Sequence, residues 1–362
     1  MKFTINTQDF KQVLNTAYKA VPAKASIPMM ENFYLQAKDS RLYVTATDGG
    51  LVIETNTEIT GGEGTACINA KLLVDGISLL PEGSIDISTE GETCTIFYGK
   101  GSFKIPCFPS EDFPKVDVNI KGNSSTVVNE KLKDALGYVL PSVADDPMRP
   151  VLNGVFFNPV EGGFDIVASD SHSLSMQKVR CDATGGSFIV PTKVAKLLQT
   201  LLDDDSTVIT TNDTSASFFF AHTVINTVTI VGKFPKYESV IPTANGCELK
   251  AKVADLLATV RRVSTCANKA SMAIKMSLAT FGGCTIEGQD VGFGCSAKET
   301  MEDVDYDGED MTVGFKATLL SSLLGALDEE EVVLRLDNPR KAVLITTANE
   351  DRKAIIMPIS IQ

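Results

Sequence analysis

The 362-residue sequence contains no tryptophan and only two histidines, His172 and His222. Its eight cysteines form no C-x-x-C pair, and protein zinc sites need closely spaced cysteine and histidine ligands. We therefore expect no zinc site and no other metal or cofactor. Cysteines scattered in this way are typical of reduced core residues in a cytosolic protein.

Long hydrophobic runs are also absent. The first residues, MKFTINTQDF, are polar and lack the apolar segment of a secretory signal. No apolar run approaches the roughly 20 residues that a membrane-spanning helix needs. We therefore expect a cytoplasmic protein that has no membrane partner.

Motifs of nucleotide-dependent and nucleophilic enzymes are missing as well. The sequence has no P-loop, no G-x-G-x-x-G and no G-x-S-x-G. A hydrolase that combines Asp170 and His172 with a nearby serine remains an alternative. An aspartate at the end of a strand is more simply a turn residue, however, and we predict that the protein is not an enzyme.

What the sequence does contain is a threefold repeat. Three stretches show apolar residues at helical spacing and an acidic turn after the final leucine; they are residues 68–80, 190–202 and 315–327. A short β-branched run follows each of them. The stretches recur at close to one third of the chain length, and such a period indicates three copies of one domain.

Two further elements recur with the same period. Apolar stripes typical of a helix begin at Phe10, Leu132 and Val253. Strand-like runs end at Asp48, Asp170 and Asp290. We predict an α+β fold of three repeated domains, each with two helices and about eight strands. We place these domains at residues 1–124, 125–245 and 246–362.

The distribution of charge suggests a partner. The net charge of −13 argues against a nucleic-acid ligand when it is taken alone. The six repeated helices nevertheless carry an excess of lysine and arginine, and the acidic residues are concentrated elsewhere. Because a repeat places equivalent helices on one side of an assembly, this pattern predicts a basic face that meets a polyanion.

A ring of helices must leave room for such a polyanion. Six helices packed about 9–10 Å apart leave too little space for duplex DNA, whereas twelve leave a hole of roughly 26 Å. A hole of that size admits B-DNA, which is about 20 Å across. If the helices line a closed ring around DNA, two chains are therefore needed to form it.

The order of short motifs along the whole chain resembles the family of the bacterial DNA polymerase III β subunit, the sliding clamps. The resemblance is carried by MKFTI (1–5), RPVLNGVFF (149–157), VASDSHSLS (167–175), FPKYESVIP (234–242), VGFKATLLSSLL (313–324) and IMPISI (356–361). It implies a homodimeric ring, closed head to tail between the first domain of one chain and the third domain of the other. Such a ring encircles duplex DNA without sequence preference and tethers DNA polymerase III subunits, the clamp loader and other proteins.

The resemblance also implies three groups of site residues. Those facing DNA are Lys24, Lys71, Arg149 and Lys193. Those closing the ring are Phe103 and Ile105, on an edge strand of the first domain, and the partner's third domain near Val263. A groove between the second and third domains binds short linear peptides of partners; it is lined by Leu152, Ser169, Ser171, His172, Leu174, Pro235, Val240, Ile355, Met357, Pro358 and Ile359.

The sequence departs from the family at Ser173, where an arginine is usual. This departure predicts that apolar anchors contribute more to peptide affinity than polar contacts do. A peptide-binding scaffold that never encircles DNA remains a second alternative. It would keep the groove and lose the basic helices.

Overall fold

The computed structural model describes residues 1–203, 205–243 and 245–361. It divides into two compact units. The first comprises Met1–Glu130, Thr184–Gly186 and Thr200–Thr229, and the second comprises Lys131–Ala183, Ser187–Gln199 and Ile230–Gln362. The second repeat contributes to both units, and the boundaries of the three domains stay a prediction.

The elements recur three times, as the sequence period indicated. The first repeat contains α1 (Thr7–Tyr18), α2 (Ala70–Ser78), β1 (Lys2–Asn6), β2 (Asn32–Lys38), β3 (Arg41–Thr47), β4 (Leu51–Glu58), β5 (Thr60–Gly61), β6 (Gly64–Asn69), β7 (Ser84–Glu90), β8 (Thr93–Tyr98) and β9 (Gly101–Phe108). The second contains α3 (Asn129–Val139), α4 (Thr192–Leu201), β10 (Asn123–Val128), β11 (Gly154–Val160), β12 (Gly163–Ser169), β13 (Ser173–Arg180), β14 (Phe188–Pro191), β15 (Ser206–Thr211), β16 (Ser215–Phe220) and β17 (Thr223–Val228). The third contains α5 (Val253–Ser264), α6 (Ala317–Leu324), β18 (Cys247–Lys252), β19 (Ala273–Ala279), β20 (Gly283–Asp290), β21 (Cys295–Met301), β22 (Asp305–Asp307), β23 (Met311–Lys316), β24 (Glu331–Leu336), β25 (Val343–Thr346) and β26 (Arg352–Ile356). The predicted α+β fold, with two helices in each repeat, is confirmed.

One long antiparallel sheet forms the first unit. Its order is β10-β15-β16-β17-β4-β3-β2-β6-β9-β8-β7-β1-β5. Helices α1 and α2 pack against each other and bury Phe10, Leu14 and Leu73. Side chains of Asn6 and Asn69 cap these helices by accepting hydrogen bonds from Gln8 N (2.8 Å) and Leu72 N (3.0 Å).

The second unit contains two sheets. The larger has the order β14-β11-β12-β13-β26-β25-β24-β18-β22, and the smaller has the order β21-β20-β19-β23. Helix α5 buries Leu256, Val260 and Val263 and contacts both β20 and β21. Among the described residues β21 is an edge strand of the smaller sheet.

The three repeated aspartates are turn residues, as the sequence predicted. Asp48 Oδ1 accepts hydrogen bonds from the backbone N–H groups of the residues two and three positions later, at 3.1 and 2.8 Å. Asp170 Oδ1 does the same at 2.8 and 2.5 Å, and Asp290 Oδ1 at 3.0 and 3.3 Å. Each aspartate therefore closes the tight turn between two strands, which explains its recurrence without catalysis.

The cysteines differ from expectation at one pair. Cys266, just after α5, and Cys295, at the start of β21, form a disulfide with their Cα atoms 5.4 Å apart. The prediction that all cysteines are reduced is wrong for this pair, because the fold brings together two residues that are distant in sequence. Among the described residues the other cysteines are free, and burial raises the pKa of Cys67 to about 12.

No helix in the described ranges is both long and apolar enough to span a membrane.

Candidate functional site

The candidate groove is built on the antiparallel pairing of β13 with β26. In this pairing Leu174 lies opposite Ile355, and Ser173 lies opposite Ile356. The next backbone group, Met357 N, donates to His172 O at 2.7 Å. The pairing therefore brings the turn after β12 beside the C-terminal segment.

The floor of the groove is apolar and buried. Leu152, Leu174 and Ile355 are 4%, 3% and 5% exposed and belong to one hydrophobic cluster, which also contains Phe234 and Tyr237. A further ring, Phe156, stacks on Phe234 with the ring centroids 4.6 Å apart. Burial of these apolar side chains stabilises the floor as a packed layer.

The rim of the groove is exposed. Val240 and Met357 are 50% and 37% exposed. Pro235, Ser171 and His172 are also exposed, whereas Ser169, Pro358 and Ile359 are half-buried. Ile359 N donates to Gly314 O at 2.9 Å and so holds the C-terminal segment in place. An apolar partner side chain would therefore meet Val240 and Met357 first.

Tyr237 belongs to the same buried cluster and was not among the site residues predicted from the sequence. Its hydroxyl donates to Asp165 Oδ2 at 2.7 Å and accepts from Asn158 Nδ2 at 3.0 Å. Burial, reinforced by the Asp165 carboxylate, raises the pKa of Tyr237. The motif FPKYESVIP contained the signal, because Phe234 and Tyr237 anchor the segment that carries Pro235 and Val240.

Arg149 lies beside the groove and not on a helix. Its Nε donates to Asp146 Oδ2 at 2.8 Å, and its Nη1 donates to Ser171 Oγ. The hydrogen bond from Arg149 lowers the pKa of Asp146. Both partners belong to loops at the rim, so the structure engages this arginine locally, and the DNA contact that the resemblance implied for it stays a prediction.

The other predicted site residues lie on separate elements. Lys24, Lys71 and Lys193 are exposed, and the last two lie in the first turns of α2 and α4. Phe103 and Ile105 are half-buried on β9. Val263 is 1% exposed, so its own side chain packs inside its unit, and the expected junction with a partner chain near this residue stays a prediction. No cluster of three or more histidine, cysteine, aspartate or glutamate side chains in the described ranges is arranged to hold a metal ion.

Three copies of one α+β domain, with an apolar groove where the last strand meets the second copy, are the features of a DNA clamp subunit. Family models of the DNA polymerase III beta subunit match the chain in three parts: the N-terminal domain at residues 1–117, the central domain at 126–236 and the C-terminal domain at 238–360. The chain therefore belongs to the family of the DNA polymerase III beta subunit. It is a DNA sliding clamp that serves polymerase processivity.

Named relatives and solved structures agree with this family. The chain is 24% identical over 369 residues to the beta sliding clamp of Vibrio cholerae, covering 99% of this chain and 100% of the relative. It is 26% identical over 376 residues to that of Caulobacter vibrioides, covering 100% of both. The fold matches a DnaN sliding clamp from Pseudomonas aeruginosa bound to griselimycin with a TM-score of 0.95, at 23% identity and full coverage of both chains. It matches the DNA polymerase sliding clamp from Bacillus subtilis with a TM-score of 0.94, at 21% identity and full coverage of both chains.

Substituting Asp170 tests whether its turn shapes the groove. Asp170→Ala removes the acceptor of His172 N, Ser173 N and Ser173 Oγ, so we expect a loss of about 1–2 kcal/mol in the free energy of unfolding. Amide hydrogen exchange at Met357 should accelerate at the same time, because its acceptor His172 O loses its fixed position. Asp170→Asn retains an oxygen acceptor and should lose less than half as much stability.

The matched control for this substitution is Asp48→Ala, which opens the equivalent turn of the first repeat. It should cost similar stability and leave exchange at Met357 unchanged. Wild-type exchange at Met357 in Asp170→Ala would contradict the role of this turn.

Proposed function

We propose that two copies of this chain close head to tail into a ring around duplex DNA, and that the ring tethers its polymerase through the groove. The observation that carries the ring is the way in which successive repeats join. The strand that follows the aspartate turn pairs with the last strand of the next repeat: β4 pairs with β17, and β13 pairs with β26. The third pair of this kind would combine β21, the strand that follows Asp290, with β9, the last strand of the first repeat.

Both counterparts have open edges among the described residues. β21 ends its sheet. β9 pairs with β6 only through Cys107 and Phe108, which leaves Gly101–Pro106 with one open edge. Open edges carry unpaired N–H and C=O groups that favour strand addition. Pairing β9 of one chain with β21 of another repeats the internal junction a third time and closes the ring.

Apolar side chains beside β9 support this junction. Phe103 packs against α2, where a Cβ on Gly76 would lie 2.9 Å from the Phe103 ring. Leu72, in α2, and Leu79, directly after it, are 49% and 85% exposed. The partner's contribution comes from β21 and its surroundings, because Val263 is buried.

The ring predicts a dimer that depends on the open edge of β9. Light scattering at micromolar concentration should give about twice 38.8 kDa for the wild type. Ile105→Glu should give a monomer, because a charge would be buried at the new strand pair. Ile27→Glu changes a 49% exposed isoleucine outside β9 and should remain dimeric. A monomeric wild type, or a dimeric and folded Ile105→Glu, would contradict the proposed closure.

Lys24, Lys71 and Lys193 are the proposed contacts to DNA phosphates. All three are exposed, and the N-terminal positions of Lys71 and Lys193 add the favourable end of a helix dipole to their charge. Contacts of this kind read no bases, so binding is independent of sequence. Arg149 is held by Asp146 and Ser171, and we assign it instead to the rim of the groove, where its cation compensates for the arginine absent at Ser173.

The salt dependence of DNA binding tests these lysines. Replacing Lys24, Lys71 and Lys193 together with alanine should reduce the magnitude of the negative slope of log K against log salt by about 3, because each phosphate contact contributes roughly 0.9. The matched control replaces Lys38, Lys115 and Lys269, which are exposed, lie outside the helices and remove the same charge. Equal slopes for the two triple variants would refute the assignment, and absence of any DNA contact in the wild type would favour a peptide-binding scaffold.

The groove is the proposed site for peptides of polymerase subunits, the clamp loader and other partners. Its occupant is a short peptide with large apolar anchors that cover Val240 and Met357 and approach the Leu174–Ile355 floor. Methionine adapts to differently shaped apolar side chains, which suits one site that serves several partners. Affinities of about micromolar strength, near −8 kcal/mol, are expected for so few anchors.

Rim substitutions test the groove without disturbing its buried floor. A fluorescein-labelled peptide with one glutamine, one leucine and one phenylalanine should bind the wild type. Its affinity for Val240→Glu or for Met357→Glu should be at least tenfold lower. Val128→Glu alters a 51% exposed valine at the end of β10 in the first unit and should bind within twofold of wild type. Equal binding by all four proteins would remove the groove from this position.

The proposed function includes no catalytic step. The proposal also places the protein in the cytoplasm. Asp170 is the candidate acid or base of the hydrolase alternative. Its Oδ1 instead stabilises the turn, because it accepts hydrogen bonds from His172 N, Ser173 N and Ser173 Oγ.

A further inference from the structure

Arg352 is a buried cation at the start of β26, the strand that carries the groove floor. It lies opposite Gln177 of β13, and Ile355 of the same strand lies opposite Leu174. Because Arg352 and Ile355 are separated by an odd number of positions, their side chains lie on opposite faces of the sheet. Ile355 faces the apolar cluster, and Arg352 holds the strand from the opposite face of the sheet.

The guanidinium joins β26 to three other parts of its unit, which are β13, residues 328–329 and α3. Nε donates to Gln177 Oε1 at 2.9 Å, and Nη1 donates to Glu329 Oε1 at 2.9 Å and also to Asp328 Oδ1. Nη2 donates to Asp134 Oδ1 on α3, and the guanidinium carbon lies 5.3 Å from the centre of the Tyr138 ring. The side chain is 3% exposed. Only the planar fork of an arginine supplies donors in so many directions from one buried position.

The surrounding groups depend on this cation. Gln177 Nε2 also donates to Asp134 Oδ2 at 2.8 Å, so the strand, the helix and the guanidinium form one network. Burial alone would lower the pKa of Arg352, but its hydrogen bonds to Asp328 and Asp134 raise it. The hydrogen bond from Arg352 in turn lowers the pKa of Asp328. Removing the arginine would leave three carboxylates without their shared counter-ion.

We propose that Arg352 is a positioning residue that fixes β26 beneath the groove and thereby sets the affinity of the groove for peptides. This inference rests on the proposed peptide-binding function. The link is short, because β26 runs from Arg352 through Ile355 to Ile356, and the next residue, Met357, donates its N–H to His172 O at 2.7 Å. If the guanidinium network is lost, the strand is held by its backbone ladder and its apolar face alone. Its end then moves relative to the turn that forms the opposite wall.

Two arginines of the larger sheet provide a matched test. Arg352→Met keeps a long apolar stem and removes the buried network. Arg180→Met removes an ion pair between β13 and Asp351, with an Nη2–Oδ1 distance of 3.0 Å and an arginine side chain that is 76% exposed. The probe is the fluorescein-labelled peptide with one glutamine, one leucine and one phenylalanine. We expect at least a tenfold loss of affinity in Arg352→Met and a change within twofold in Arg180→Met.

Amide hydrogen exchange separates positioning from general instability. Exchange at Met357 and Ile359 should accelerate about tenfold in Arg352→Met, while the amides of β2 and β3 in the first unit keep their wild-type rates. If Arg352→Met does not fold, Arg352→Lys retains the charge without the fork and should show a smaller loss, about threefold, in both measurements.

The outcomes distinguish this inference from the function on which it rests. Suppose that the wild type binds the peptide and that the folded Arg352 variants show the same affinity and the same amide exchange. That result would overturn the role of Arg352 and leave the groove intact. Failure of the wild type to bind the peptide would overturn the groove, and this inference with it. Acceleration spread evenly over both units would also overturn it, because the arginine would then act on overall stability and not on the strand.

Discussion

The antiparallel pairing of β13 with β26 is the contact on which the candidate site depends. It joins Gln177 to Arg352, which are 175 residues apart in the chain. Closing so long a loop costs conformational entropy before any contact is gained. The pair is stabilised on both faces, by an apolar cluster on one and by a buried ionic network on the other. Without it, the C-terminal segment would have no fixed place beside the Asp170 turn.

The two faces of this pair contribute in different ways. The apolar contacts of Leu174 and Ile355 are non-directional and would accept several arrangements of similar volume. The guanidinium of Arg352 has fixed donor directions and accepts one. A slip by a single residue would exchange the faces of the strand and place Arg352 in the apolar cluster without partners. The ionic network therefore specifies the register, and the apolar cluster stabilises it.

Periodic features could be predicted from the sequence, and contacts between distant residues could not. The six helices and the three aspartate turns follow from local spacing repeated three times, and one copy checks another. Arg149 and Arg352 both look like surface residues in their local sequence. Their partners, Ser171 for one and Asp134 for the other, are set by the fold. The same holds for the Cys266–Cys295 disulfide and for the burial of Val263, because a single amphipathic stripe does not say which of its residues a neighbouring sheet covers.

The repeated turns show how one backbone device acquires different functions. In the first repeat Gly50 O accepts a hydrogen bond from Val228 N at 2.9 Å, and in the second the equivalent His172 O accepts one from Met357 N at 2.7 Å. The cavity of about 560 Å³ beside the first turn has Asp117, Lys121 and Asn226 in its lining, whereas the second turn adjoins an apolar floor. The equivalent carbonyl of the third repeat belongs to Gly292, between Val291 and Phe293, which are 81% and 83% exposed. In a head-to-tail ring this third turn meets the first repeat of the other chain, so the same backbone geometry that forms a groove within the chain closes the assembly between chains.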